Sequence, residues 1–575
     1  MNYGIIINQA GLLGVLLSGI MLATSGVFLG LHSYVGRPIQ GNAIGALFVA
    51  GAAGLLVSGA AWFFTRGRSK HFGRREALLL VALSWFGGAL LGALPFWIWA
   101  SNQSDGLVGS VRKLDLASSG SFSAWLHPAA STIEPTSPAS PSLPGEKMAR
   151  SQVDDEVFRK SLDPHPFESF VNCYFESMSG LTTTGATVLS EIESLPSSLL
   201  LWRAFTQWLG GLGIVVLFVA VLPGLGVGGK RLFQIEAPGP APEGLQPHIR
   251  ETARWLWMIY VGLTLAEILL LWQVAGMDGF DAICHTFATL ATGGFSTMNA
   301  SIGAYHGTLA VDIIVIVFML LAGINFGLYY RICRGNLSAV WDDVEIRVYL
   351  GMLLVATVIV CGALALSRNP LVMTDKVTQE SSYGEILRQG IFTTISVQTT
   401  TGFCTADFNQ WPFIAKAVLL MLMFVGGSSG STAGGIKVIR IWLALKVLSA
   451  EIERVFRPHI VRPVRVGGHS VPQELRLGAV AYVLGILLLF GLGSVTIMSL
   501  EQLNAESDCD FISAAASCVA TLCNIGPALG KVGPVENYGW FSAGSKVVMC
   551  VLMALGRLEV FAIIVLLSPA FWKRN

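Results

Sequence analysis

Four short phrases rich in threonine and glycine recur along the chain, about 108 to 124 residues apart, each after a short apolar stretch. Their corresponding residues are Thr183, Thr184 and Gly185; Thr292, Gly293 and Gly294; Thr400, Thr401 and Gly402; and Asn524, Ile525 and Gly526. None is charged, whereas a divalent-cation filter normally presents Asp or Glu. Backbone carbonyls and threonine hydroxyls can replace the water shell of a monovalent cation, and glycine supplies the necessary backbone freedom. The repetition therefore predicts a four-unit ion pore.

A second unusual stretch combines glycine, serine, threonine and alanine within an apolar region. It comprises Gly426, Gly427, Ser428, Ser429, Gly430, Ser431, Thr432, Ala433, Gly434 and Gly435, and Lys437 follows. Unwound backbone at membrane depth is tolerated only inside protein or beside water, so a mobile intramembrane loop is the favoured interpretation. A nucleotide-binding loop is disfavoured because 430–437 lacks a Gly-Lys-Ser/Thr ending. A glycine motif for helix packing remains the alternative.

A lone arginine, Arg557, stands near the middle of the last apolar run. It lies about 14 residues, or ~20 Å, from either end of that run, too far for easy snorkelling. An intramembrane arginine is a functional candidate by default, and the alternatives are an ion pair with Glu559 or a contact with loop carbonyls. Glu176, Arg203 and His285 occur once each in or near the phrases, and we interpret them as polar packing.

The residues described above lie among long apolar stretches, which are predicted to be membrane-spanning helices. Hydrophobic residues make up 53% of the chain and charged residues 13%, with a mean hydropathy of +0.63, which excludes a soluble domain. Spans are predicted at 10–33, 43–65, 77–100, 199–223, 253–275, 307–330, 346–367, 413–449, 475–500 and 543–571. If each crosses once, all basic clusters share one side, which is predicted to be cytoplasmic together with both termini. The nine cysteines lack metal-ligand spacing and are predicted to be mostly apolar fillers.

Each phrase follows a stretch of about 14 residues that is too short to span a membrane. These re-entrant helices are predicted at 168–181, 278–290, 385–397 and 510–522, and they open with Glu168, Asp278, Glu385 and Asp510. A carboxylate at that point complements the helix dipole; capping alone and an added attraction for cations both remain open. Only the third phrase is expected to precede a broken helix, and only the fourth an intramembrane arginine.

The segments 179–187, 201–213, 291–297 and 426–437 resemble the TrkH branch of the Trk/Ktr/HKT potassium transporters, and the resemblance covers about residues 5 to 572. It implies an all-α polytopic membrane protein with four M1-pore helix-M2 units in pseudo-fourfold array and two extra N-terminal transmembrane helices. The implied divisions are 1–75 for the extra helices, then pore units at 76–235, 236–340, 341–470 and 471–575. The family resemblance also implies a homodimer in the bacterial inner membrane.

The same resemblance implies roles for the unusual residues. The four phrases become a potassium filter, in which glycine at 185 accompanies potassium selectivity, and the 426–435 loop with Lys437 and Arg557 becomes a gate. Potassium is then the substrate, without a covalently bound cofactor and without a nucleic-acid partner. Asn524 and Ile525 depart from the threonine-rich pattern, so the fourth side-chain contribution is the least defined.

Charged loops on the predicted cytoplasmic side have two interpretations. Asp342, Asp343, Glu345, Arg454, Arg457, Arg462 and Arg465 either form solvated faces or, by the resemblance, dock a cytosolic nucleotide-binding regulatory subunit of the TrkA type. The serine- and proline-rich insert 101–165 is predicted to be a flexible outward-facing loop.

Two other functions are weighed against ion uptake. A channel-like KdpA subunit of a P-type ATPase complex shares the four-loop plan, but the 426–437 motif speaks against it. A polytopic membrane enzyme would need nucleophiles, carboxylates or metal ligands clustered at one depth, and the sequence offers no convincing set.

Overall fold

The computed structural model describes residues 1–30, 41–66, 73–118, 165–211, 213, 249–367, 370–375, 378–379, 382–458, 463–504 and 507–573. This part of the chain is mostly α-helical and confirms the predicted all-α class. Its strands form two short antiparallel ribbons, β1 (Leu371–Val372) with β2 (Thr378–Gln379) and β3 (Arg465–Val466) with β4 (His469–Ser470). Arg462, one of the basic residues of the predicted cytoplasmic side, lies outside the described residues.

Three helices come first: α1 (Tyr3–Gly30), α2 (Gly41–Phe64) and α3 (Arg74–Ser118). Helices α1 and α2 pack closely because glycines face the partner helix; a Cβ on Gly11 would lie 2.9 Å from the Ser58 carbonyl oxygen. The prediction of a flexible loop from residue 101 is wrong at its start, since α3 continues to Ser118. Proline, the strongest helix breaker, first appears in the insert at Pro128. Residues 119–164 lie outside the described chain.

Sixteen further helices follow in the described residues. They are α4 (Phe170–Leu181), α5 (Ser197–Gly211), α6 (Ile249–Leu269), α7 (Gly279–Leu290), α8 (Leu309–Ala322), α9 (Phe326–Cys333), α10 (Ser338–Asp342), α11 (Val344–Ser367), α12 (Tyr383–Gln398), α13 (Phe413–Phe424), α14 (Val438–Phe456), α15 (Gln473–Gln502), α16 (Phe511–Cys523), α17 (Ala543–Arg557), α18 (Phe561–Leu567) and α19 (Pro569–Trp572). The four short helices α4, α7, α12 and α16 match the predicted re-entrant helices within a few residues. Six described helices are long and apolar enough to cross a membrane.

Packing of the short helices follows one rule. Each packs against the long helix before it (α3, α6, α11 or α15) and against the helix after it (α5, α8, α13 or α17). The helix after it also packs against the short helix of the next unit, in the pairs α5–α7, α8–α12, α13–α16 and α17–α4. The last pair returns to the first unit, so the four units form a closed ring of contacts.

Helix breaks are more frequent than predicted. The third phrase is followed by a break between α13 and α14, as expected. However, α8 and α9 are bent by 92° at 323–325, and the last predicted span breaks between α17 and α18, where Glu559 and Val560 have φ of 56° and 59°. The expectation that only the third phrase precedes a broken helix is therefore wrong. After Gly211 the chain up to residue 248 lies outside the described residues, except for Gly213.

The break at 323–325 is stabilised by the glycine- and serine-rich stretch of the third unit. The freed carbonyls of Ala322 and Gly323 accept hydrogen bonds from the backbone of Thr432 (3.3 Å) and Ser428 (2.8 Å). Asn325 caps α9 by accepting from the Gly327 backbone at 2.8 Å. Since buried backbone groups need partners, this long-range pairing makes the bend possible inside an apolar region.

Candidate functional site

The four phrases share one backbone conformation. The residue two before each aligned glycine is left-handed, with φ of 54° at Thr183, 52° at Thr292, 59° at Thr400 and 56° at Asn524. The next residue donates its backbone N–H to the carbonyl five residues earlier, in the pairs Thr184–Ser179, Gly293–Ala288, Thr401–Ser396 and Ile525–Ala520, at 2.8 to 2.9 Å. This bond ends each short helix in the same way. In sequence, the turn is marked by a Thr or Asn two residues before the aligned glycine.

The phrases also touch one another in order. A Cβ on Gly185 would lie 2.2 Å from the Gly293 carbonyl oxygen, and one on Gly294 would lie 2.1 Å from that of Thr401. A Cβ on Gly402 would lie 3.2 Å from the Gly526 nitrogen, and one on Gly526 would lie 2.5 Å from the Gly185 carbonyl oxygen. We call the twelve residues 183–185, 292–294, 400–402 and 524–526 the four-loop ring. Glycine fits these approaches because the nearest atom is backbone at Gly185, Gly294 and Gly526; at Gly402 the nearest atom is Pro527 Cδ, at 2.9 Å.

Above the ring lies a cavity of about 100 Å³ that all four glycines line. The ring itself is neutral and its threonines are buried. Thr183 Oγ1 and Asn524 Oδ1 are buried without a hydrogen-bond partner in the described chain. The Gly293 carbonyl accepts a hydrogen bond from the Gln207 amide at 2.7 Å, and the Gly526 carbonyl accepts one from the Tyr538 hydroxyl at 2.8 Å. Each carbonyl oxygen keeps a second lone pair. The arrangement therefore offers oxygen ligands without a fixed negative charge.

A buried ion pair braces the first two loops. Arg203 donates to Glu176 at 2.6 Å and to the Ser296 carbonyl at 2.9 Å, and its guanidinium lies 3.5 Å from the centre of the Phe295 ring. Glu176 also accepts from the Val188 backbone at 3.0 Å. The two charges thus link the first loop to the second from behind, as polar packing was predicted to do.

Further side-chain hydrogen bonds brace the second and third loops. His285 lies 2.9 Å from the Ser296 hydroxyl, and Asp281 accepts from Thr297 at 2.7 Å and Tyr305 at 2.8 Å. In the third unit the Ser396 hydroxyl donates to the Phe403 carbonyl at 2.7 Å. The fourth unit uses Asn524, whose amide donates to the Thr184 hydroxyl at 3.1 Å and to the Met553 carbonyl at 3.0 Å.

The four acidic residues before the phrases do not play one common part. Asp278 and Asp510 cap α7 and α16, accepting from the Phe280 backbone at 3.0 Å and the Ser513 backbone at 3.1 Å. Glu385 lies in the first turn of α12, where Ser382 is the cap, and Glu168 is an exposed residue of a preceding 3₁₀ turn. Capping therefore explains two of the four carboxylates.

The stretch 426–435, which we call the intramembrane loop, lies directly against the ring. The Gly434 N–H donates to the Thr400 hydroxyl at 2.7 Å, and a Cβ on Gly434 would lie 2.5 Å from the Cys523 carbonyl oxygen. At its base the Gly426 N–H donates to the Ile436 carbonyl at 3.0 Å. Together with its bonds to Ala322 and Gly323, the loop thus contacts the second, third and fourth units.

Arg557 connects the loop to the first unit. Its guanidinium donates to the Thr432 carbonyl at 2.7 Å and to the carbonyls of Gly210 (2.5 Å) and Gly211 (2.7 Å), at the end of α5. Contact with loop carbonyls was one of the alternatives left open. Glu559, the partner in the other alternative, pairs with Arg440 at 2.5 Å. Lys437 donates within the loop to the Ala433 carbonyl.

Glu345 is a further loop contact that sequence reasoning missed. Its carboxylate accepts from the Ser429 N–H at 2.6 Å and from the Ile439 N–H at 3.3 Å, which ties the start of α11 to the loop and to the first turn of α14. The interpretation of Glu345 as part of a solvated face is therefore wrong. By contrast, Arg454 and Arg457 are exposed and lie near Glu451 and Glu453 on α14.

Comparison with known proteins gives consistent matches. The family model described as TrkH, cation transport protein, matches residues 153–574. The Trk system potassium uptake protein TrkH of Escherichia coli K12 is 35% identical over all of both chains, and that of Vibrio parahaemolyticus is 40% identical over 71% of this chain and 81% of its own. The crystal structure of the potassium transporter TrkH from Vibrio parahaemolyticus has a TM-score of 0.76 at 31% identity, covering both chains fully.

The apolar spans and the closed ring of four helix-loop units define a polytopic membrane transport protein. With a family model over most of its length and full-length relatives above 30% identity, the chain belongs to the TrkH family of cation transport proteins.

Proposed function

We propose that this protein takes up potassium across the bacterial inner membrane through the four-loop ring. The closed contact of four similar loops carries the proposal, because a neutral ring of backbone and hydroxyl oxygens suits a dehydrated monovalent cation. The unpartnered buried oxygens of Thr183 and Asn524 support it, since such atoms call for an ion or water. The similar proteins described above are named as a potassium uptake protein and a potassium transporter, which agrees with this substrate.

In this proposal all twelve residues of the four-loop ring act together as a filter. The four pore units begin at residues 76, 236, 341 and 471, and the two extra helices precede the first unit. The predicted cytoplasmic side, with both termini, is the side of the intramembrane loop, so potassium meets the cavity above the ring first.

The intramembrane loop is the proposed gate. It contacts three units directly and the first through Arg557, so it occupies the path below the ring and movement must break these hydrogen bonds. Each bond from a charged group contributes about 1.5–3 kcal/mol, so the regulatory input must offset several such bonds to shift the loop. We propose that a TrkA-type cytosolic subunit supplies that input to a homodimer of this chain, and that no covalently bound cofactor takes part.

Flux measurements in liposomes test the proposal. Purified protein is reconstituted with defined potassium, sodium and proton gradients, with and without the regulatory subunit, and cation movement is followed. Potassium flux above that of protein-free liposomes, and above sodium flux, is expected. Absence of flux in every gradient, both with and without the subunit, would contradict it. Co-purification with a P-type ATPase would favour the KdpA-like alternative instead.

A further inference from the structure

A large groove opens on the side of the third unit, away from the ring. It has a volume of about 1250 Å³ and lies between α11, α13 and α14, with the β3–β4 ribbon at one end. Its walls are apolar and include Met352, Ile359, Phe413 and Met421. From Arg347 to Ile359 it runs along α11 for about 18 Å, close to the thickness of one leaflet of a ~30 Å hydrocarbon core.

The end of the groove beside the ribbon is basic. Arg347, Lys446 and Arg465 line it together with Trp442, and the described lining contains neither Asp nor Glu. Among the described residues none of these three cations forms a salt bridge with a carboxylate. Basic pockets between transmembrane helices on the cytoplasmic side suit anionic lipid headgroups, and tryptophan is common at that depth.

We propose that this lateral groove binds an anionic phospholipid, with an acyl chain along α11 and α13 and its phosphate among Arg347, Lys446 and Arg465. The apolar walls of the groove suit an acyl chain, and its basic end suits a phosphate. A soluble anion would not use the apolar walls, and a neutral lipid would leave the three cations unpaired.

The bound lipid would contact the supports of the intramembrane loop. Val425 and Trp442, on either side of that loop, line the groove, and Val425 forms a backbone bridge with Ile436. Helix α11 carries Arg347 at the groove and, two residues earlier, Glu345 on the loop. Anionic lipid is therefore expected to change the rate of cation flux; this consequence rests on the proposed function, whereas binding itself does not.

Glycine replacements on α11 provide a matched test. Gly351 lines the groove, whereas Gly362, three turns further along nearly the same helix face, does not. A Cβ on either meets no described atom within 4 Å, so both accept a larger side chain. Gly351→Phe places an aromatic ring inside the groove, and Gly362→Phe adds the same bulk outside it.

Native mass spectrometry of the delipidated full-length protein measures binding of dioleoyl phosphatidylglycerol, with dioleoyl phosphatidylcholine as the neutral probe. We expect preferential binding of the anionic lipid, weakened about fivefold for each charge removed in Arg347→Gln, Lys446→Gln and Arg465→Gln. Gly351→Phe is expected to abolish the preference, and Gly362→Phe and Arg454→Gln to keep it. Equal binding of both lipids, or binding unchanged in Gly351→Phe and in the Arg347, Lys446 and Arg465 variants, would overturn the proposal.

Two other occupants give distinct outcomes in the same experiment. If Gly351→Phe changes the oligomeric state while lipid binding is unchanged, the groove is an interface between two copies of this chain and the proposal is wrong. If the three charge variants lose only their response to the cytosolic subunit, the basic end is a protein-docking surface and the proposal is also wrong. Lipid binding without flux in any membrane would contradict the proposed function and leave this site intact.

Discussion

The four-loop ring and the intramembrane loop below it are built on different principles. The ring repeats one backbone turn four times, and its loops abut through backbone atoms and neutral side chains, with one buried ion pair behind them. The intramembrane loop occurs once, and charged side chains from two other elements, Arg557 and Glu345, hold it. In the proposed function, the repeated ring corresponds to ion selection, and the single set of hydrogen bonds that holds the intramembrane loop corresponds to control of passage.

The largest expected effect concerns the rigidity of the ring. Arg203→Met leaves the buried carboxylate of Glu176 without its cation, which is expected to lower the free energy of unfolding by about 3–5 kcal/mol. Denaturant or thermal unfolding in detergent measures the loss. Adding Glu176→Gln should recover part of it, because the unpaired charge is then removed.

The exposed pair Arg454–Glu451 is the control for this prediction. Arg454→Met is expected to change stability by less than about 1 kcal/mol, since solvent screens such pairs. Equal losses in Arg203→Met and Arg454→Met would show that the ring does not depend on the buried brace.

Gly185→Ser tests whether the ring needs its close backbone approach. Gly185 has a φ of 81°, and its Cβ would meet the Gly293 carbonyl at 2.2 Å, so strain and the clash together are expected to reduce potassium flux about 100-fold. Gly335→Ser is the control, because Gly335 has a φ of 86° but its Cβ meets no described atom within 4 Å. Normal flux and unchanged potassium preference in Gly185→Ser would refute the filter assignment.

Arg557→Gln tests whether charged hydrogen bonds hold the intramembrane loop in its closed position. It removes the charge from three hydrogen bonds to backbone carbonyls, so the closed loop should lose about 1.4 kcal/mol or more and basal flux should rise about tenfold. Liposome flux without the regulatory subunit measures the change. A fall in flux with normal stability would mean that Arg557 assists passage rather than closure.

The smallest effect is expected for Glu345→Gln. The amide oxygen still accepts from Ser429, but it loses the charge, so a loss of about 1 kcal/mol and a rise in basal flux of about fivefold are expected. The exposed Asp342 provides Asp342→Asn as a control, which should leave flux unchanged. If both variants behave alike, Glu345 does not hold the loop.

The parts that repeat in sequence were predictable, and the parts that depend on distant partners were not. The Thr- and Gly-rich phrases and the spacing of Asp278 and Asp510 located the ring and its short helices. The bend at 323–325 lies in a run that is almost uniformly apolar, and its hydrogen-bond partners are more than 100 residues away. Glu345 likewise looked solvated because its partner, Ser429, is remote in sequence.

The most direct test compares potassium and sodium flux through Gly185→Ser and Arg557→Gln in the same liposomes. We expect Gly185→Ser to change the potassium-to-sodium flux ratio. Arg557→Gln is expected to raise both fluxes and to leave their ratio unchanged. A ratio altered by Arg557→Gln but not by Gly185→Ser would contradict the separation of selection in the ring from control by the loop.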